Sequence, residues 1–557
     1  MEVTIQLEEY FNNSKHSSWI GIQNFQGIRE YTKIPLAPLT LIYGQNSAGK
    51  STIHDALEFI SSFFSGTWNH ETTCDYLDRW ANHKRYSESS DKGFRGDPSY
   101  VIISLSSYIT ESDYFCWETD HFNNRHFLRD HPIYNLFSCS DQGIGFQLVL
   151  HFSTDDKNQW YVNYLGLVLG DDYLFELITD PEKKTENSDL YCLYKLNTHH
   201  PAYTYLDSHF ENSLTNLISG SFEHYSNDCW LVIRNAELSS SLNWKKPLDW
   251  FSYDLENFEE LPREVPIVRD LLIGLIMVPS LAAANRFNYK SIPPLRPIPS
   301  KRDAVIRLNL INQQFSDHWH FLAKQVCLKS INEYYPSETD QRSTWLDAID
   351  QINRVLSHSH FLGTGYQITG SCFFLAPLDL FSDALGDIKY IRETLINKLD
   401  AEVHLKLLDT KSGKLIDIED VGVGISQIIP VLVAISLGNQ VYIQQPELHL
   451  HPKLQAQLAD AFIEFLNKPL SGSNFIVESH SEHFLLRLLR RIRETNRSDI
   501  RHQLFGLTAD QVSVLYVDKM EDGSSKVIPL RISADGEFID RWPYGFFTER
   551  DGELFDE

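Results

Sequence analysis

The most constraining feature of the sequence is a glycine-rich turn near its beginning. Residues 44–51 read Gly-Gln-Asn-Ser-Ala-Gly-Lys-Ser, which fits G-x-x-x-x-G-K-[ST] at every fixed position. In such a loop, main-chain N–H groups turn toward phosphate oxygens, a lysine reaches the β- and γ-phosphates, and a hydroxyl ligates Mg²⁺. Lys50 and Ser51 fill the last two positions. The motif therefore predicts a nucleotide-phosphate site.

The sequence around this turn has the pattern that phosphate binding requires. Residues 39–43 form a short apolar run that predicts a strand, and residues 51–64 carry apolar side chains at helical spacing. An ordinary strand-to-helix turn is the alternative. A loop that follows a strand and opens a helix, however, places a phosphate at a helix N-terminus.

A second glycine-containing loop lies in the last third of the chain. Residues 420–427 read Asp-Val-Gly-Val-Gly-Ile-Ser-Gln and lead into an apolar helix. Such a loop can present N–H groups and the Ser426 hydroxyl to the γ-phosphate of a nucleotide held by another subunit. A helix-capping Ser426 beside permissive glycines is the alternative, and the loop alone leaves both open.

Two further apolar strands end in polar residues. Residues 441–452 read Val-Tyr-Ile-Gln-Gln-Pro-Glu-Leu-His-Leu-His-Pro, and residues 475–481 read Phe-Ile-Val-Glu-Ser-His-Ser. The first kind of strand end normally carries an acid that holds Mg²⁺ and a second acid that polarises the attacking water. A histidine after the second strand, here His480, can hydrogen-bond a γ-phosphate.

In this order, the four segments resemble those of the ABC-type ATPases of the OLD and SMC-like branch. Four phrases resemble one bacterial subgroup: IPLAPLTLIYGQNSAGKST, DVGVGISQIIPVL, QPELHLHPKLQAQLADAF and ESHSEHFLLRLLRRI. Residues 294–299 and 542–549 resemble the same subgroup. Within it, the chain is similar to the ATPase subunits of Septu-type (PtuA-like) antiphage systems, retron-associated ones included. The resemblance covers both ends of the chain well and residues 70–270 poorly.

The resemblance implies an α/β fold, an ABC-type P-loop ATPase head split by a long mixed α/β insertion, with ATP and Mg²⁺ as cofactors. The implied nucleotide-binding residues are Gly44, Gln45, Asn46, Ser47, Ala48, Gly49, Lys50, Ser51, Thr52, Gly422, Gly424, Ser426 and Gln427. The implied catalytic positions are Gln444, Gln445, Glu447 and His480, and the implied metal ligands are Ser51 and Gln444.

The resemblance also implies partners. The heads would pair through bridging ATP into a homodimer or a higher even oligomer, and a separate HNH-type nuclease subunit would bind them. In a retron-associated system, retron RNA or DNA and a reverse transcriptase would join the complex.

One departure from the resemblance concerns hydrolysis. Relatives usually carry Glu or Asp at the position of Gln444, and commonly Glu at Gln445 as well. Glutamine offers an oxygen to a metal shell, but it is uncharged and is not a useful general base. ATP binding is therefore better supported than hydrolysis, unless Glu447 or Glu478 supplies the missing carboxylate. An ATPase of very slow turnover, or an engineered substitution, fits equally well.

The pattern along the chain predicts one ATPase head whose halves lie at its two ends. We expect an N-terminal part of the head at residues 1–70, an insertion plus remaining head strands at 71–400, and a C-terminal part at 401–557. The elements expected within these parts are a strand at 19–25, an irregular segment at 74–97, an antiparallel meander at 100–235, helices at 302–334 and 343–356, and alternating strands and helices from 402.

Composition narrows the class of protein. The formal charge is −26, from 49 basic and 75 acidic residues, so the chain as a whole should repel a polyphosphate backbone. Seven scattered cysteines without a Cys-x-x-Cys pair argue against a disulfide framework and for a reducing compartment. We find no secretion signal and no apolar run long enough to cross a membrane, and we expect a cytoplasmic protein.

Two weaker patterns admit ordinary explanations. His449 with His451, or His480 with His483, could bind a metal, but without a third ligand we prefer nucleotide-loop or helix-capping roles. The predicted helix after His480 has an arginine-rich face. A solvated amphipathic helix is the ordinary interpretation, and a local site for nucleic acid or an acidic partner is the alternative.

Three functions compete at this point. The first is a regulatory ATPase subunit whose closed heads hold or release a nuclease. The second is a self-contained nuclease of the OLD type, disfavoured because the stretch after His480 is short for a nuclease domain. The third is a DNA-repair or chromosome-maintenance ATPase of the SMC or RecF kind, acting directly on DNA, for which no sustained heptad pattern is found.

Overall fold

The strands and helices below belong to a computed structural model. It describes residues 17–65, 70–80, 100–109, 136, 144–154, 160–184, 190–208, 214, 224–227, 230–234, 274–276, 278–280, 282–298, 305–310, 317–335, 346–374, 376, 388–438, 440–467, 473–497 and 505–543. Its strands are β1 Trp19–Gln23, β2 Thr32–Pro35, β3 Leu39–Gly44, β4 Tyr100–Ile109, β5 Ile144–Thr154, β6 Trp160–Leu169, β7 Asp172–Lys184, β8 Leu190–Asn197, β9 His224–Asn227, β10 Trp230–Arg234, β11 Lys290–Ile292, β12 Val305–Asn309, β13 Tyr366–Phe374, β14 Asp400–Asp409, β15 Leu415–Ile416, β16 Val441–Gln444, β17 Phe475–Glu478, β18 Val512–Lys519 and β19 Ser525–Leu530. Its α-helices are α1 Ser51–Phe64, α2 His70–Trp80, α3 Pro201–Asp207, α4 His318–Tyr334, α5 Leu346–Ser357, α6 Ile388–Asn397, α7 Val423–Ser436, α8 Pro452–Leu466 and α9 Glu482–Asn496.

Two compact units divide the chain. The first contains Met1–Leu36, Gln45–Tyr289 and Val517–Pro529, and the second contains Ala37–Gly44, Lys290–Tyr516 and Leu530–Glu557. Each unit draws on segments that are far apart in sequence. The boundaries expected near residues 70 and 400 stay a prediction.

A nine-stranded antiparallel sheet forms the first unit's framework, in the order β2-β1-β4-β5-β6-β7-β8-β10-β9. Strands β4 to β8 pair with their sequence neighbours, which confirms the predicted meander. The alternation of buried and half-buried residues along β5 explains why it forms a strand with one face in the core. Strands β1 and β2 also belong to this sheet, so the strand expected at residues 19–25 lies apart from the sheet of β3.

A six-stranded sheet carries the strand ends of interest, in the order β11-β16-β17-β3-β18-β19. Strands β11, β16, β17 and β3 run parallel. All residues of β3 and β17 are buried, as expected for a parallel sheet covered on both faces. The predicted alternation of strands and helices from residue 402 is confirmed by β14, α7, β16, α8, β17 and α9. The expected fold class, an α/β P-loop head with a mixed insertion, is therefore confirmed.

Two expectations about local structure are wrong. The irregular segment expected at 74–97 is wrong for residues 74–80, which belong to helix α2, where Leu77 is fully buried and the Tyr76 ring lies 5.7 Å from that of Phe59. The helix was not predicted because its few apolar side chains give only a weak periodicity. Its packing against α1 is a contact that the local sequence does not reveal. Residues 81–97 lie outside the described residues. The helix expected over 302–334 begins only after Asp317, whose side chain accepts a hydrogen bond from the His320 N–H at 2.9 Å. Residues 305–309 form β12 and pair with β14.

Candidate functional site

The phosphate loop leaves β3 and passes into α1 through a strained backbone. Ser47 has φ of +61° and Gly49 has φ of +96°. The positive φ at Gly49 is one that residues with a Cβ rarely adopt, so the conformation of the loop requires glycine there. The Lys50 ammonium donates a hydrogen bond of 2.9 Å to the carbonyl oxygen of Gln45 and braces the loop. The motif residues thus form a loop between β3 and α1, and their contacts with a nucleotide stay a prediction.

The N-terminus of α1 is suited to an anion. Among the described residues no side chain caps this helix end, and its first turn holds no acidic residue. The positive end of the helix dipole attracts negative charge there. Ser51 is exposed, whereas Thr52 is buried and donates a hydrogen bond of 2.7 Å to Gln26. Thr52 therefore anchors the helix within the first unit.

The parallel strands of the second unit bring three strand ends to one edge. Gln444 of β16 pairs with Glu478 of β17, and Glu478 pairs with Ile42 of β3, two residues before Gly44. Parallel strands end at the same edge of a sheet, where ligand sites of α/β proteins usually lie. The sequence segments that follow β16 and β17 are therefore neighbours.

Glu447 lies in a tight turn after β16. Gln445 and His449 on either side of it have φ of +44° and +64°. The Glu447 side chain is only 7% exposed; its Oε1 accepts a hydrogen bond of 2.7 Å from the His480 N–H, while Oε2 has no hydrogen-bond partner among the described residues. Burial raises the pKa of Glu447, and its hydrogen bonds and the charge of Arg296 oppose that rise. A buried carboxylate oxygen without a partner is one that a metal ion or a water molecule can satisfy.

The other carboxylate at this edge is already engaged. The Tyr442 hydroxyl donates a hydrogen bond of 2.6 Å to Oε1 of Glu478, and both side chains are buried. Of the two acids that the sequence left open as a substitute, Glu447 has the available oxygen and Glu478 has a structural partner.

The segment after β17 is fastened to β3. The hydroxyl of Tyr43, the residue before Gly44, donates a hydrogen bond of 3.2 Å to the carbonyl oxygen of Ser481. Burial, and secondarily the charge of Glu447, raise the pKa of Tyr43, which keeps it a neutral donor. The His480 ring is exposed beside this anchored backbone. The predicted switch histidine thus has a fixed main chain at the edge of the sheet.

The glycine-serine loop caps helix α7, but its residues face different ways. Gly422 is the exposed N-cap, and a Cβ at Gly424 would lie 2.8 Å from the carbonyl oxygen of His449. Ser426 is buried and donates a hydrogen bond of 3.0 Å to the Val423 carbonyl oxygen. Gln427 is also buried. The nucleotide contacts predicted for Ser426 and Gln427 stay predictions, and in this structure both side chains bond to protein.

Sequence reasoning gave no role to Arg296, which the structure places in the second unit beside Gln427 and the turn after β16. The side chain is 4% exposed and donates a hydrogen bond of 2.9 Å to the Gln444 carbonyl oxygen. Burial lowers the pKa of Arg296 to about 10, and the charge of Glu447 opposes that shift. The one sequence feature that could have indicated Arg296 is its place in the proline-rich residues 294–299, which resemble the bacterial subgroup.

The arginine-rich helix α9 is largely an internal ion-pair network. Arg491 donates hydrogen bonds of 2.7 and 2.9 Å to the two oxygens of Asp460, which is fully buried, and Arg487 donates a third of 2.6 Å. Arg490 pairs with Glu494 at the surface. Neither Arg487 nor Arg491 is therefore placed as a solvated basic side chain, and the helix face has less unpaired charge than its sequence suggests.

The histidine pairs gain no support as metal ligands. His451 caps helix α8 by accepting a hydrogen bond from the Lys453 N–H at 3.3 Å. In the described part of the chain, the only group with ligand atoms close enough for a metal is His54, Asp55 and Glu58. Asp55 already accepts a hydrogen bond from the side chain of Gln26.

The fold and the phosphate loop define a P-loop ATPase. The chain belongs to the family described as AAA ATPase domain, whose model matches residues 18–485. A second model, described as protein of unknown function DUF3696, matches residues 507–556. A comparison with curated proteins gave no match.

Several solved structures are similar to this chain over most of its length. An SMC head bound to the C-winged helix domain of ScpA matches at 10% identity and a TM-score of 0.36, covering 93% of this chain and 98% of that one. The SMC head domain from Thermotoga maritima matches at 8% identity and a TM-score of 0.34, and the match covers 93% of this chain and 100% of that one. A third structure is an SMC head domain with an extended coiled coil, bound to the C-terminal domain of ScpA derived from Pyrococcus furiosus. It matches at 13% identity and a TM-score of 0.33, and the match covers 93% of this chain and 96% of that one.

Within the described residues, no helix has both the length and the apolar character needed to cross a membrane.

Proposed function

We propose that this chain is the ATP-binding subunit of a bacterial antiphage complex, in which ATP-bridged heads hold and regulate a separate HNH-type nuclease. The observation that carries the nucleotide part is the uncapped N-terminus of α1 behind a phosphate loop of the required sequence and backbone. The antiphage part is supported by the resemblance of the four quoted phrases.

The residues present fit ATP and Mg²⁺. In the first unit, Lys50 and the N–H groups at the start of α1 would hold the phosphates, and the exposed Ser51 hydroxyl would ligate Mg²⁺. Gln444, in the second unit, stays a predicted metal ligand. Glu447 adds a carboxylate oxygen that is buried without a partner among the described residues. Mg²⁺ would supply positive charge that stabilises the phosphates during their transfer.

We propose that Glu447 takes over the carboxylate role that Gln444 and Gln445 cannot perform. A glutamine amide does not accept a proton from an attacking water, whereas a carboxylate whose pKa is raised is a better base than an ordinary one. One carboxylate in place of two implies slow turnover. Such a chain would stay in its ATP-bound form for long periods, which suits a subunit that restrains a toxic partner.

Pairing of the heads is testable by size. With ATP and Mg²⁺, the parent should sediment as a dimer or a higher even oligomer, and removal of the nucleotide should reduce that species. Sedimentation that does not respond to ATP would contradict the bridging role of the nucleotide.

The partner is tested by affinity purification of the tagged chain from its native host. We expect a nuclease subunit among the recovered proteins, together with a reverse transcriptase and retron nucleic acid if the system is retron-associated. Recovery of the chain with DNA and without a nuclease would favour the alternative, a repair or chromosome-maintenance ATPase acting directly on DNA.

A further inference from the structure

We infer that Arg296 is a positioning residue that fastens the turn after β16 to helix α7, so that the main chain of Gln444 and Gln445 keeps its place. For ATP and Mg²⁺ this role rests on the proposed function. The connection between the turn and the helix is a property of the second unit alone and can be tested without nucleotide.

Arg296 makes two sets of contacts. Toward the turn, Nη2 donates hydrogen bonds of 2.9 Å to the Gln444 carbonyl oxygen and 3.2 Å to that of Gln445. Toward the helix, Nη1 donates a hydrogen bond of 3.3 Å to the carbonyl oxygen of Gln427. The planar guanidinium can bond to several carbonyls at once because its donors are held in a rigid fork.

Main-chain bonds double the connection to α7. The main-chain N–H of Arg296 donates a hydrogen bond of 3.0 Å to Oε1 of Gln427. In return, Nε2 of Gln427 donates a hydrogen bond of 2.8 Å to the Arg296 carbonyl oxygen. This reciprocal pair fixes the glutamine amide in one orientation. It also explains why a residue predicted to contact nucleotide is buried.

Burial of the charge argues that the contacts have a purpose beyond stability. Arg296 is 4% exposed, and its Nε has no hydrogen-bond partner among the described residues. The charge of Glu447 opposes the lowering of the Arg296 pKa by burial, and the charge of Arg296 opposes the raising of the Glu447 pKa. A buried charge is costly, and an apolar side chain often serves stability as well. What an apolar residue cannot do is hold two carbonyl groups and a helix together.

The held turn is one that needs holding. Gln445 adopts φ of +44°, a left-handed conformation that costs a non-glycine residue about 1 kcal/mol or more. The carbonyls of Gln444 and Gln445 are the groups whose directions this conformation sets. Close approach of Gly424 to the His449 carbonyl joins α7 to the far side of the same turn. A displacement of α7 would therefore be transmitted to Gln444.

The test compares ATP binding with and without Mg²⁺ in R296M, R296K and the control R307M. Arg307 is an exposed arginine paired with Glu402. Residues that orient a metal ligand typically contribute about 10- to 100-fold to metal affinity. Mg²⁺ should increase the ATP affinity of the parent, and we expect this increase to be about tenfold smaller in R296M. The ATP affinity of R296M in EDTA should equal that of the parent. R296K should retain part of the gain, and R307M all of it.

A full Mg²⁺-dependent gain in R296M, or an equal loss in EDTA, would overturn the positioning role. A parent that binds ATP equally in Mg²⁺ and EDTA would also overturn it. A parent that binds no ATP would contradict the proposed function, and urea unfolding of R296M, Q427A and the double variant then decides about Arg296. A double variant that loses clearly less than the sum of the two single losses supports the connection, and additive losses would overturn it.

Discussion

The main-chain N–H of His480 lies 2.7 Å from Oε1 of Glu447 and donates a hydrogen bond to it. This bond joins the segments after β16 and β17, which sequence analysis assigned to separate catalytic roles. It occupies one carboxylate oxygen and leaves the other, Oε2, without a partner among the described residues. The contact is made by the backbone, so it fixes the place of His480 without engaging its ring.

Glu447 should destabilise the folded chain at neutral and alkaline pH. Because burial raises its pKa, the ionised form is less stable in the folded chain than in the unfolded one. This penalty is absent below the ordinary glutamic acid pKa and complete above the raised pKa. We expect E447Q to increase the free energy of unfolding by about 1 kcal/mol or more at about pH 8, and by less at about pH 4.5.

Thermal unfolding at the two pH values checks this expectation. E521Q, at an exposed glutamate, is the matched control and should show no comparable gain. A midpoint for E447Q that is below the parent's at the higher pH would contradict the account of Glu447.

Tyr442 should contribute to stability through its hydroxyl. Y442F removes the 2.6 Å donor to the buried Glu478 carboxylate, and loss of a hydrogen bond to a charged group costs about 1.5–3 kcal/mol. Y334F, at a tyrosine that is 77% exposed, removes a hydroxyl at the surface and should cost little. Equal denaturant midpoints for the two variants would show that the Tyr442 hydroxyl is not a necessary partner.

The sequence predicted the parts of this fold that local pattern determines. The helix at 51–64 follows from the spacing of Ile53, Ala56, Leu57 and Ile60, and its predicted bounds match α1. The parallel strands are short apolar runs between turn residues, which single them out even without an alternating pattern. The phosphate loop is specified by residue types at fixed spacing.

The parts that the sequence did not predict depend on distant contacts. β13 and β14 form a sheet with β12 because residues around 305, 370 and 404, which are far apart in sequence, pair with one another. The role of Arg296 depends on carbonyl groups about 150 residues away, and carbonyls carry no sequence signal. Helix α9 read as basic because its partner, Asp460, lies on another helix.

The arginines of α9 should differ sharply in their effect on stability. R491M leaves the buried Asp460 with one partner fewer, and breaking a buried ion pair costs about 3–5 kcal/mol. R490A removes an arginine that is 51% exposed and paired at the surface, so the change should be within about 0.5 kcal/mol. Urea unfolding of both variants measures the difference, and similar losses would contradict the structural role of the Asp460 network.

Acids introduced at positions 444 and 445 should increase turnover. A positioned general base contributes about 10²-fold or more to a hydrolytic rate. We therefore expect Q444E/Q445E to release phosphate from ATP about 10²-fold faster than the parent, as measured by a continuous phosphate assay. Adding E447Q to the parent should abolish its residual rate. No gain from the two glutamates would mean that the glutamines do not limit turnover.

The central claim is that the phosphate loop binds ATP, and calorimetric titration of ATP into the parent and K50A tests it most directly. Charge-assisted hydrogen bonds contribute about 1.5–3 kcal/mol each, and 1.4 kcal/mol corresponds to a tenfold change in affinity. We predict saturable ATP binding by the parent and at least about tenfold weaker binding by K50A, with parent-like binding by K411A, at an exposed lysine. Binding of ATP by K50A as tight as by the parent would contradict the account.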